Sequence, residues 1–479
     1  MTLHVKNSLT GEREVFEPEH DEEVLMYVCG LTVSDEPHIG HARVWIHADV
    51  MHRWLEYLGY SVRHVENITD VNEKIVAKIN DIGNSESEVA ETYTSSVIEA
   101  MRGLNLKRAE VYPRVSEHIS EIIDLTQTLI DKGYAYEASG SVYFDVTTFD
   151  DYGKLSNQTI DEMEAQGPPE EREEKRHPED FALWKAGIAH PDNGEPGGET
   201  WASPWSEGRP GWHIECSAMS MTHLDETIDI HIGGQDLVFP HHENEIAQSE
   251  AATEQQFVKY WLHVGLLETA GEKMSTSLGN FTIVEDALRE HGMNPVRMFL
   301  ISTTFDNRQT HSSESVQEAI GRWERLSRAH ERSTNALDST YSRSKKQDES
   351  FRNAIKSARE DFIDGMNDNF NTRKALRALE ELETAIHTYI DDNEVYDYTA
   401  LREAVETLET FGGDILGFDF GQQESTNIQL AEELIELILE IREEERAAGN
   451  YERADALRSE LEGLGIEVED EEDGTVYRF

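Results

Sequence analysis

The 479-residue sequence contains little cysteine and few positive charges. Two cysteines cannot build a disulfide framework, so we expect a chain that is kept reduced in the cytoplasm. The sequence has no run of about 18 apolar residues, and it therefore predicts no transmembrane helix. Its first residues, MTLHVKNSLTGERE, lack the basic and then apolar pattern of a signal peptide. We therefore expect no membrane partner.

Acidic residues number 97 against 42 basic ones, which gives a formal charge of −55. A hydrophobic fraction of 38% and 8 Trp predict folded cores rather than disorder. Molar salt shortens charge repulsion to about 3 Å, so a dense carboxylate surface stays soluble there. We interpret the composition as that of a halophile's protein. A polyanionic partner must then bind through local basic spots and through contacts that depend little on salt.

The stretch from Trp212 to Glu245 contains candidate metal ligands. It includes Cys216 and ends in HHENE, where His241 and Glu245 are four residues apart and share one face of a helix. A thiolate, an imidazole and a carboxylate are ordinary zinc ligands, and a tetrahedral site needs four. The other cysteine, Cys29, is the natural fourth ligand.

The same residues allow other interpretations. A lone cysteine is more often a small buried hydrophobic residue than a ligand. The sequence has no CxxC pair of the zinc-finger kind. His213 and His242 each lie three residues before another candidate ligand, so either could replace His241. The residues alone therefore leave zinc as one interpretation among several.

The length predicts several domains, because single cores rarely exceed about 250–300 residues. The first is predicted by a strand at Val24–Cys29, a helix from His38 to about Tyr57, and a strand near Ser61–Val65. Strand, helix and strand in this order form a βαβ unit, which predicts an α/β domain with a parallel sheet. Ligands bind where such strands end, and Cys29 falls at that edge.

The string His38-Ile39-Gly40-His41 begins the predicted helix. Imidazoles at His38 and His41, with the free N–H groups of a helix start, can donate hydrogen bonds to phosphate oxygens. Gly40 lets a flat base lie on the backbone. The alternative is a turn with two surface histidines.

Weaker signals follow along the chain. Gly133 to Val146 predicts a hairpin with Gly140 at its turn. The acidic segment Asp161–Asp180 is predicted to be a solvated loop in an inserted domain. After the strand IDIHIGG, Asp236 is placed either to hold ribose hydroxyls or simply in a turn. Pro240 is predicted to start the helix that carries HHENE.

The C-terminal half contains one candidate loop and a helical region. GEKMSTSLGN contains the cation Lys273 and two serines between glycines, and such a loop can close over phosphates. From Val284 onward a helical chain is predicted, with segments 312–336 and 350–392 as bundle helices. The apolar residues of the second segment predict core: Leu376, Leu379, Leu382 and Ile386. Residues 421–426 are predicted to be a linker, and Asp473-Gly474 a terminal hairpin.

Several blocks in order resemble the class I aminoacyl-tRNA synthetases, and closely the cysteinyl-tRNA synthetases: HIGH, NITDVNEKI, YGKLS, DFALWK, GWHIECSAM, FPHHENEIAQSE, KMSTSLGN, NDNFNT and GTVYRF. The resemblance covers nearly the whole chain. It implies a Rossmann-like catalytic domain that is split by a connective insertion, followed by an α-helical anticodon-binding bundle and a small C-terminal domain. The implied boundaries are 1–115 and 201–255 for the catalytic halves, 116–200 for the insertion, 256–310 for the stem-contact region, 311–420 for the bundle and 427–479 for the end.

The resemblance also implies roles. It matches the zinc ligands to Cys29, Cys216, His241 and Glu245, with His213 and His242 supporting them, and it implies one zinc ion that binds the substrate thiolate. It implies that Trp212 and Thr32 lie at the cysteine pocket. ATP with Mg²⁺ would lie along HIGH and the glycine loop, with His38, His41 and Lys273 catalytic and with Gly40, Asp236, Lys273 and Thr276 binding the nucleotide. The implied substrates are L-cysteine, ATP and tRNA(Cys), and the expected state is a monomer.

Two departures from the family pattern keep alternatives open. Thr276 stands where the KMSKS motif has a second lysine, so a cation beside the leaving pyrophosphate is missing. The segment TTFDNRQTH lacks a His-Tyr-Arg run, so the residues that contact tRNA stay open. The main alternatives are a ligase that joins cysteine to an amino sugar and a catalytically silent tRNA-binding paralogue.

Overall fold

The computed structural model describes residues 2–163, 174–187, 197–269, 272–273, 281–340, 348–421 and a discontinuous set between 438 and 478. The chain divides into two compact units, Met1–Phe418 and Asp419–Phe479. The predicted domain boundaries inside these units stay a prediction.

A four-stranded parallel sheet forms the centre of the first unit. Its strands are β3 (Glu23–Val28), β4 (Ser61–Glu66), β10 (Ile228–Gly234) and β11 (Val258–Val264), in the order β11-β10-β3-β4. Helix α1 (Ile39–Tyr57) connects β3 to β4, so the predicted βαβ unit is confirmed. Strand β3 is almost wholly buried, which fits its apolar composition.

The N-terminal part of the first unit also contains a small two-stranded ribbon and three further helices. Strands β1 (His4–Lys6) and β2 (Arg13–Val15) pair with each other. After β4 the chain forms three helices, α2 (Glu73–Val76), α3 (Glu86–Gly103) and α4 (Ile119–Asp131).

A second, five-stranded sheet lies between the two halves of the parallel sheet in sequence. Its strands are β5 (Ala135–Ala138), β6 (Ser141–Phe144), β7 (Phe181–Ala186), β8 (Trp201–Ala202) and β9 (Glu207–Pro210), in the antiparallel order β5-β6-β7-β9-β8. The predicted hairpin is therefore confirmed. Ser139 and Gly140 both have positive φ, at 54° and 86°, as a tight two-residue hairpin turn requires.

The prediction that residues 161–180 form a solvated loop is wrong at the last residue, Asp180. Asp180 is fully buried and accepts hydrogen bonds from the Tyr136 hydroxyl at 2.6 Å and from the backbone N–H groups of Val146 and His177. Asp180 is therefore a structural carboxylate, because it satisfies donors that would otherwise be buried without partners. Residues 164–173 of the predicted loop lie outside the described residues.

The helices that follow the insertion are α5 (Trp212–His223) and α6 (Glu243–Thr253), which flank β10 in sequence. After β11 the chain forms β12 (Leu267–Thr269) and β13 (Glu272–Lys273). Helices α7 (Val284–His291) and α8 (Met293–Ile301) come next. Strand β14 (Gln309–His311) then pairs with β12, so the expectation of an all-helical chain after Val284 is wrong at this point.

Four further helices form a bundle: α9 (Ser313–Thr340), α10 (Glu349–Asn367), α11 (Thr372–Asp391) and α12 (Tyr398–Thr407). The predicted bundle segment 350–392 is broken between α10 and α11, where Asn369 and Phe370 have positive φ. The predicted apolar stripe of α11 is confirmed as core, because its four members are all buried.

The second unit contains short helical pieces between residues 438 and 461 among those described. It ends in the predicted hairpin, in which β15 (Glu467–Glu471) pairs with β16 (Gly474–Arg478). Most of the predicted linker 421–426 lies outside the described residues. Among the helices that the structure describes, none has both the length and the apolar character needed to cross a bilayer.

Arg43 links helix α1 by hydrogen bonds to the segments that precede strands β12 and β14. Its buried guanidinium donates to the carbonyl oxygens of Gly265 at 3.0 Å, Leu300 at 2.8 Å and Asn307 at 2.8 Å. Burial lowers its pKa to about 10. These bonds fix the helix that begins at HIGH relative to the three-stranded sheet β13-β12-β14.

The buried carboxyl group of Glu66 generates a test of this packing. Burial raises its pKa to about 8, despite a hydrogen bond with Trp45 that lowers the pKa. The folded state therefore holds a proton that the unfolded state releases near pH ~4.5, so stability falls as pH rises from ~4.5 to 8. We predict that Glu66→Gln removes this loss and is more stable than the wild type above pH 8 in urea titrations. Equal pH dependence in Glu66→Gln and the exposed control Glu137→Gln would contradict the prediction.

Candidate functional site

The structure brings together four candidate metal ligands from separate chain segments. Cys29 directly follows β3, Cys216 lies in α5, His241 lies in the turn 238–242, and Glu245 is on α6. One ligand atom from each residue lies within 4.8 Å of the others. Cys29 is half-buried and the other three are buried. The two cysteines that the sequence analysis paired are therefore neighbours in space.

The segment that carries His241 begins at a kink. The Phe239–Pro240 peptide is cis and Phe239 has extended φ and ψ, whereas the residues after Phe239 are helical and lead directly into α6. The expectation that Pro240 starts the helix that carries HHENE agrees with this geometry. The spacing of four residues still places Nε2 of His241 3.1 Å from Oε1 of Glu245.

Two other histidines hold the candidate ligands in position. Nδ1 of His213 lies 3.0 Å from Nδ1 of His241, and Nε2 of His231 lies 3.0 Å from Oε2 of Glu245. Burial lowers the pKa of His213 well below its usual value, so this ring is neutral and accepts the Nδ1 proton of His241. His241 then presents Nε2 to the cluster, the arrangement by which proteins orient metal-binding imidazoles.

His242 lies on a different side of the cluster. Its Nδ1 is 2.8 Å from Nε2 of His263, and its ring packs at 5.0 Å from that of Trp261. Together with His231 and Glu245 it forms a second group whose ligand atoms lie within 4.8 Å. Glu245 is common to both groups, and the first group alone contains sulfur.

The electrostatics of the first group suit a bound cation. A hydrogen bond with Cys29 and then burial raise the pKa of Cys216 well above its usual value. Burial opposes a charge on His241, but Glu245 and Cys216 raise its pKa to about 10. Burial likewise opposes a charge on Glu245, but His231 and His241 lower its pKa to about 2. Without metal, the positive charge at the centre is thus a proton on His241.

The donor set also fits zinc. Nε2 of His241 and Oε1 of Glu245 are buried 3.1 Å apart, and within the part of the chain that the structure describes neither atom makes a hydrogen bond of good geometry. Two sulfurs, one nitrogen and one oxygen are donors that zinc prefers, and ligands bind it deprotonated. A divalent cation would replace the protons of both thiols and of His241.

Trp212 and Thr32 lie near this cluster. The ring centroid of Trp212 is 4.2 Å from that of His241, and 37% of the residue is exposed. The backbone of Thr32 forms an isolated parallel β-bridge with that of Thr69. The Thr69 hydroxyl in turn lies 3.4 Å from Oε2 of Glu215. Trp212 is therefore a partly exposed aromatic ring that packs against a candidate ligand.

HIGH forms the start of α1, and its histidines cap it. Nδ1 of His38 accepts from the backbone N–H groups of Gly40 at 3.1 Å and His41 at 3.4 Å, and Nδ1 of His41 accepts from the N–H of His38 at 3.2 Å. The ring centroids are stacked 3.6 Å apart. Because both Nδ1 atoms accept, the proton of each neutral ring is on Nε2.

One detail of HIGH differs from the sequence-based expectation. The N–H groups of Gly40 and His41 are bonded by the His38 side chain, so they are not an open anion site. A Cβ on Gly40 would lie 2.8 Å from the His38 ring, which is a reason for glycine at this position. That a base lies on the Gly40 backbone stays a prediction.

The KMSTS loop is anchored at both ends. On one side, the backbone of Lys273 in β13 lies opposite that of Glu268 in β12, as neighbours in an antiparallel strand pair. On the other side Ile39 N–H donates to the Thr282 carbonyl at 3.0 Å, and Val284 N–H donates to that of Pro37 at 2.8 Å. Residues 274–280, which include Thr276, lie outside the described residues. The chain after the loop is therefore bonded directly to HIGH.

Asp236 lies in a short 3₁₀ turn (Gln235–Leu237) directly after β10. A Cβ on Gly234 would lie 2.5 Å from its carboxylate oxygen, so glycine is needed for this approach. The hydrogen bond with Cys216 lowers the pKa of Cys29, whereas burial, Glu245 and then the Asp236 carboxylate raise it, so that the pKa lies above its usual value. Asp236 is therefore at the same sheet edge as the cluster.

Family models match most of the chain. Residues 15–321 match the class I (C) tRNA synthetase catalytic domain, residues 361–421 the DALR domain, and residues 431–478 the cysteinyl-tRNA ligase anticodon-binding domain. Cysteine–tRNA ligases of Haloarcula marismortui and Halobacterium salinarum are 59% and 58% identical, each with 100% of both chains covered. The chain belongs to the cysteinyl-tRNA synthetase family. The enzyme of Thermococcus gammatolerans is 43% identical over 100% of this chain and 99% of its own.

Solved structures agree on the fold of this family member. Methionyl-tRNA synthetase of Mycobacterium tuberculosis with methionyl-adenylate has a TM-score of 0.59 at 15% identity, covering 82% of this chain and 89% of its own. A leucyl-tRNA synthetase complex from Agrobacterium radiobacter has a TM-score of 0.61 at 12% identity, covering 84% and 85%. The predicted class I synthetase fold is confirmed. The similarity to the enzymes of Haloarcula and Halobacterium agrees with the prediction of a halophile's protein.

Sequence reasoning missed several residues of this synthetase's site. Asn67 uses its side-chain oxygen to accept from the N–H of Gly30 at 2.8 Å, and it lies 3.8 Å from Sγ of Cys216. A Cβ on Gly30 would lie 1.7 Å from the Asn67 carbonyl oxygen. Tyr27 and His231 are also buried at the cluster. In the sequence, only the block NITDVNEKI, which begins with Asn67, and the polar His231 within an apolar strand indicated that these residues belong to the site.

His213 offers a test of the orienting role. We predict that His213→Ala lowers zinc affinity about 10–100-fold, because His241 loses the partner that fixes its ring. His223→Ala is the matched control, since it removes a histidine from the same helix that pairs instead with His118. Zinc content is measured by mass spectrometry during chelator titration. Equal zinc retention in the two variants would contradict the role.

Proposed function

We propose that the chain joins L-cysteine to tRNA(Cys) at the expense of ATP. Identity over the full length with cysteine–tRNA ligases and the match of the anticodon-binding domain support this reaction. The observation that carries the proposal is the meeting of Cys29, Cys216, His241 and Glu245 at the sheet edge from which the chain leads to HIGH. ATP with Mg²⁺, cytoplasmic location and a monomeric state belong to the same proposal.

The reaction proceeds in two displacements. A carboxylate oxygen of cysteine attacks the α-phosphorus of ATP, and the bond from that phosphorus to the bridging oxygen breaks, so pyrophosphate leaves with its electron pair. A ribose hydroxyl of the terminal tRNA nucleotide then attacks the carbonyl carbon of the adenylate and loses its proton, and AMP leaves. Both steps place negative charge on phosphate oxygens, so donors fixed near the α-phosphate accelerate them.

His38 and His41 supply such donors. Their Nδ1 atoms are fixed as acceptors of backbone N–H groups, so the stacked rings can only donate through Nε2. The rings need no rearrangement as charge develops, which is the condition for effective electrostatic stabilisation. Lys273 begins the loop next to HIGH and is assigned to the β- and γ-phosphates, and Gly40 and Asp236 to the nucleoside.

The four-donor cluster is assigned to cysteine recognition. Bound there, zinc would supply a centre that prefers sulfur to a neutral hydroxyl and so separates cysteine from serine. Trp212 packs against His241 and is itself partly exposed, and Thr32 follows Cys29 in the chain that leaves β3. His213 and His231 hold the ligands.

The alternatives from the sequence are less well supported. A ligase for an amino sugar has less need of the DALR and anticodon-binding domains that this chain matches. A silent paralogue would not need the cluster and the capped HIGH histidines. The direct test is cysteine-dependent pyrophosphate exchange in molar KCl, with and without chelator, followed by charging of tRNA(Cys). Exchange without charging would favour the sugar ligase, and the absence of both would favour the paralogue.

The HIGH histidines give a sharper prediction. His38→Ala should lower kcat of cysteine-dependent pyrophosphate exchange about 10²–10³-fold, because one fixed donor to the α-phosphate is lost. The substitution also removes the cap of α1, so thermal unfolding is measured in parallel, and His38→Asn keeps a capping oxygen as the control. Full adenylate formation by a folded His38→Ala protein would refute the role.

Thr276 tests the departure from the KMSKS motif. Thr276→Lys should raise the rate of cysteine activation at low salt, because a lysine adds the positive charge beside the departing pyrophosphate. The gain should shrink in molar KCl, where screening weakens the added charge. Burst measurements of adenylate formation at both salt concentrations check this, with Thr276→Ser as the neutral control. An unchanged rate at low salt would contradict the interpretation.

A further inference from the structure

Glu215 is a buried acid beside the candidate metal ligands, and the proposed function assigns it no role. It lies on α5 directly before Cys216 and is 1% exposed. Residues three and four apart share one face of a helix, so Trp212, Glu215 and Cys216 lie on the same side of α5. The apolar residues of this helix pack instead into a neighbouring core: Ile214, Ala218 and Met219.

A chain of buried polar groups leads from the metal-ligand cluster to Glu215. Oδ1 of Asn67 lies 3.8 Å from Sγ of Cys216 and accepts from the N–H of Gly30. Nδ2 of Asn67 donates to the Thr69 hydroxyl at 3.2 Å, and that hydroxyl lies 3.4 Å from Oε2 of Glu215 and donates to it. Asn67 and Thr69 are each 1% exposed. The donors of this chain therefore point away from the cluster, and the chain ends on the Glu215 carboxyl group.

No cation of the protein balances Glu215 within the part of the chain that the structure describes. Glu215 forms no ion pair there, and its hydrogen bond is the long one from Thr69. Arg209 is bound to another buried acid, because its guanidinium donates to Glu86 at 2.7 Å. A carboxylate that is buried without a cation or strong donors is costly, so the position of Glu215 calls for a partner.

Other buried acids of this region already have partners. Asp70 accepts from the N–H of Ser116 at 3.0 Å and from its hydroxyl at 2.5 Å. Glu243 accepts from the N–H groups of Gly153 at 3.0 Å and Ser156 at 2.7 Å. Glu215 therefore differs from these two acids in the acceptor capacity that it has left.

A bound zinc ion would not by itself separate cysteine from other small thiols. A metal that prefers sulfur binds a thiolate whether or not the molecule is an amino acid. The thiol and the ammonium group of cysteine are carried by adjacent carbon atoms, so a thiolate on the cluster brings the ammonium group close to the residues beside it. An ammonium group donates hydrogen bonds and accepts none, and it binds carboxylates most strongly.

We propose that the carboxylate of Glu215, held by the Thr69 hydroxyl, binds the α-ammonium group of the substrate cysteine and so rejects thiols that lack it. This inference rests on the proposed function and deepens it. The metal cluster selects the sulfur, and Glu215 selects the free amino group. The ammonium group of the substrate is then the cation that Glu215 lacks in the protein.

Glu215→Gln tests the proposal, because it keeps the size of the side chain and one acceptor oxygen but removes the charge. The KM for cysteine in pyrophosphate exchange should rise about 10–100-fold, the loss that follows removal of a hydrogen bond between charged groups. The change in kcat should be smaller, since the ammonium group is bound alike in the ground state and the transition state. Inhibition by 3-mercaptopropionate, which is cysteine without its amino group, should be unchanged.

Asp70→Asn is the matched control, because it neutralises a nearby buried acid whose oxygens are already bonded to Ser116. Its KM for cysteine should stay near that of the wild type. Zinc content is measured on each protein by mass spectrometry, so that loss of the cluster is recognised. The wild type alone gives a second measurement: 3-mercaptopropionate should bind it about 10–100-fold more weakly than cysteine does.

Four results would overturn the proposal. They are equal affinity of the wild type for cysteine and 3-mercaptopropionate, an unchanged KM in Glu215→Gln, an equal weakening of both compounds by that substitution, and a raised KM confined to Asp70→Asn. Equal weakening would assign Glu215 to the shape of the site. A wild type without cysteine-dependent exchange would instead refute the proposed function, so the two failures are distinct.

Discussion

The burial of four candidate metal ligands at one end of a parallel sheet is the constraint on which the rest of the site depends. Cys29 comes from a strand end, Cys216 from α5, and His241 with Glu245 from the turn and helix after β10. His241 and Glu245 are costly to bury as charged groups, and a cation shared with the two cysteines would offset that cost. His213, His231 and Asn67 are arranged around these residues because their orientations must be fixed.

Charge is distributed in two distinct ways over this molecule. The chain carries −55 in formal charge, yet six cations line one groove of the first unit. A surface that stays soluble in molar salt would repel RNA in dilute buffer, so attraction must be local.

Local patterns predicted much of the fold. The apolar run of β3, the HIGH helix start and the leucine stripe of α11 follow periodicities that depend on near neighbours, and all three are observed. The residues alone left His213 and His242 as alternatives to His241, and the family resemblance selected the set Cys29, Cys216, His241 and Glu245. The family resemblance added the order of the domains and the roles of HIGH.

What sequence reasoning missed depends on partners far along the chain. Gln309–His311 is three polar residues, and it becomes a strand only because β12 offers an edge. Asp180 belongs to an acidic run, but its buried carboxylate accepts hydrogen bonds from the Tyr136 hydroxyl, the Val146 N–H and the His177 N–H. Gly40 and Gly30 are needed for close contacts with His38 and Asn67, which no local pattern reveals.

Zinc-edge X-ray absorption of the purified protein tests the central claim most directly. The account predicts one zinc with two sulfur neighbours at about 2.3 Å, completed by nitrogen and oxygen. Addition of L-cysteine should add a third sulfur, whereas L-serine should leave the spectrum unchanged. A zinc-loaded protein without sulfur neighbours, or a metal-free protein that still activates cysteine in preference to serine, would contradict the account.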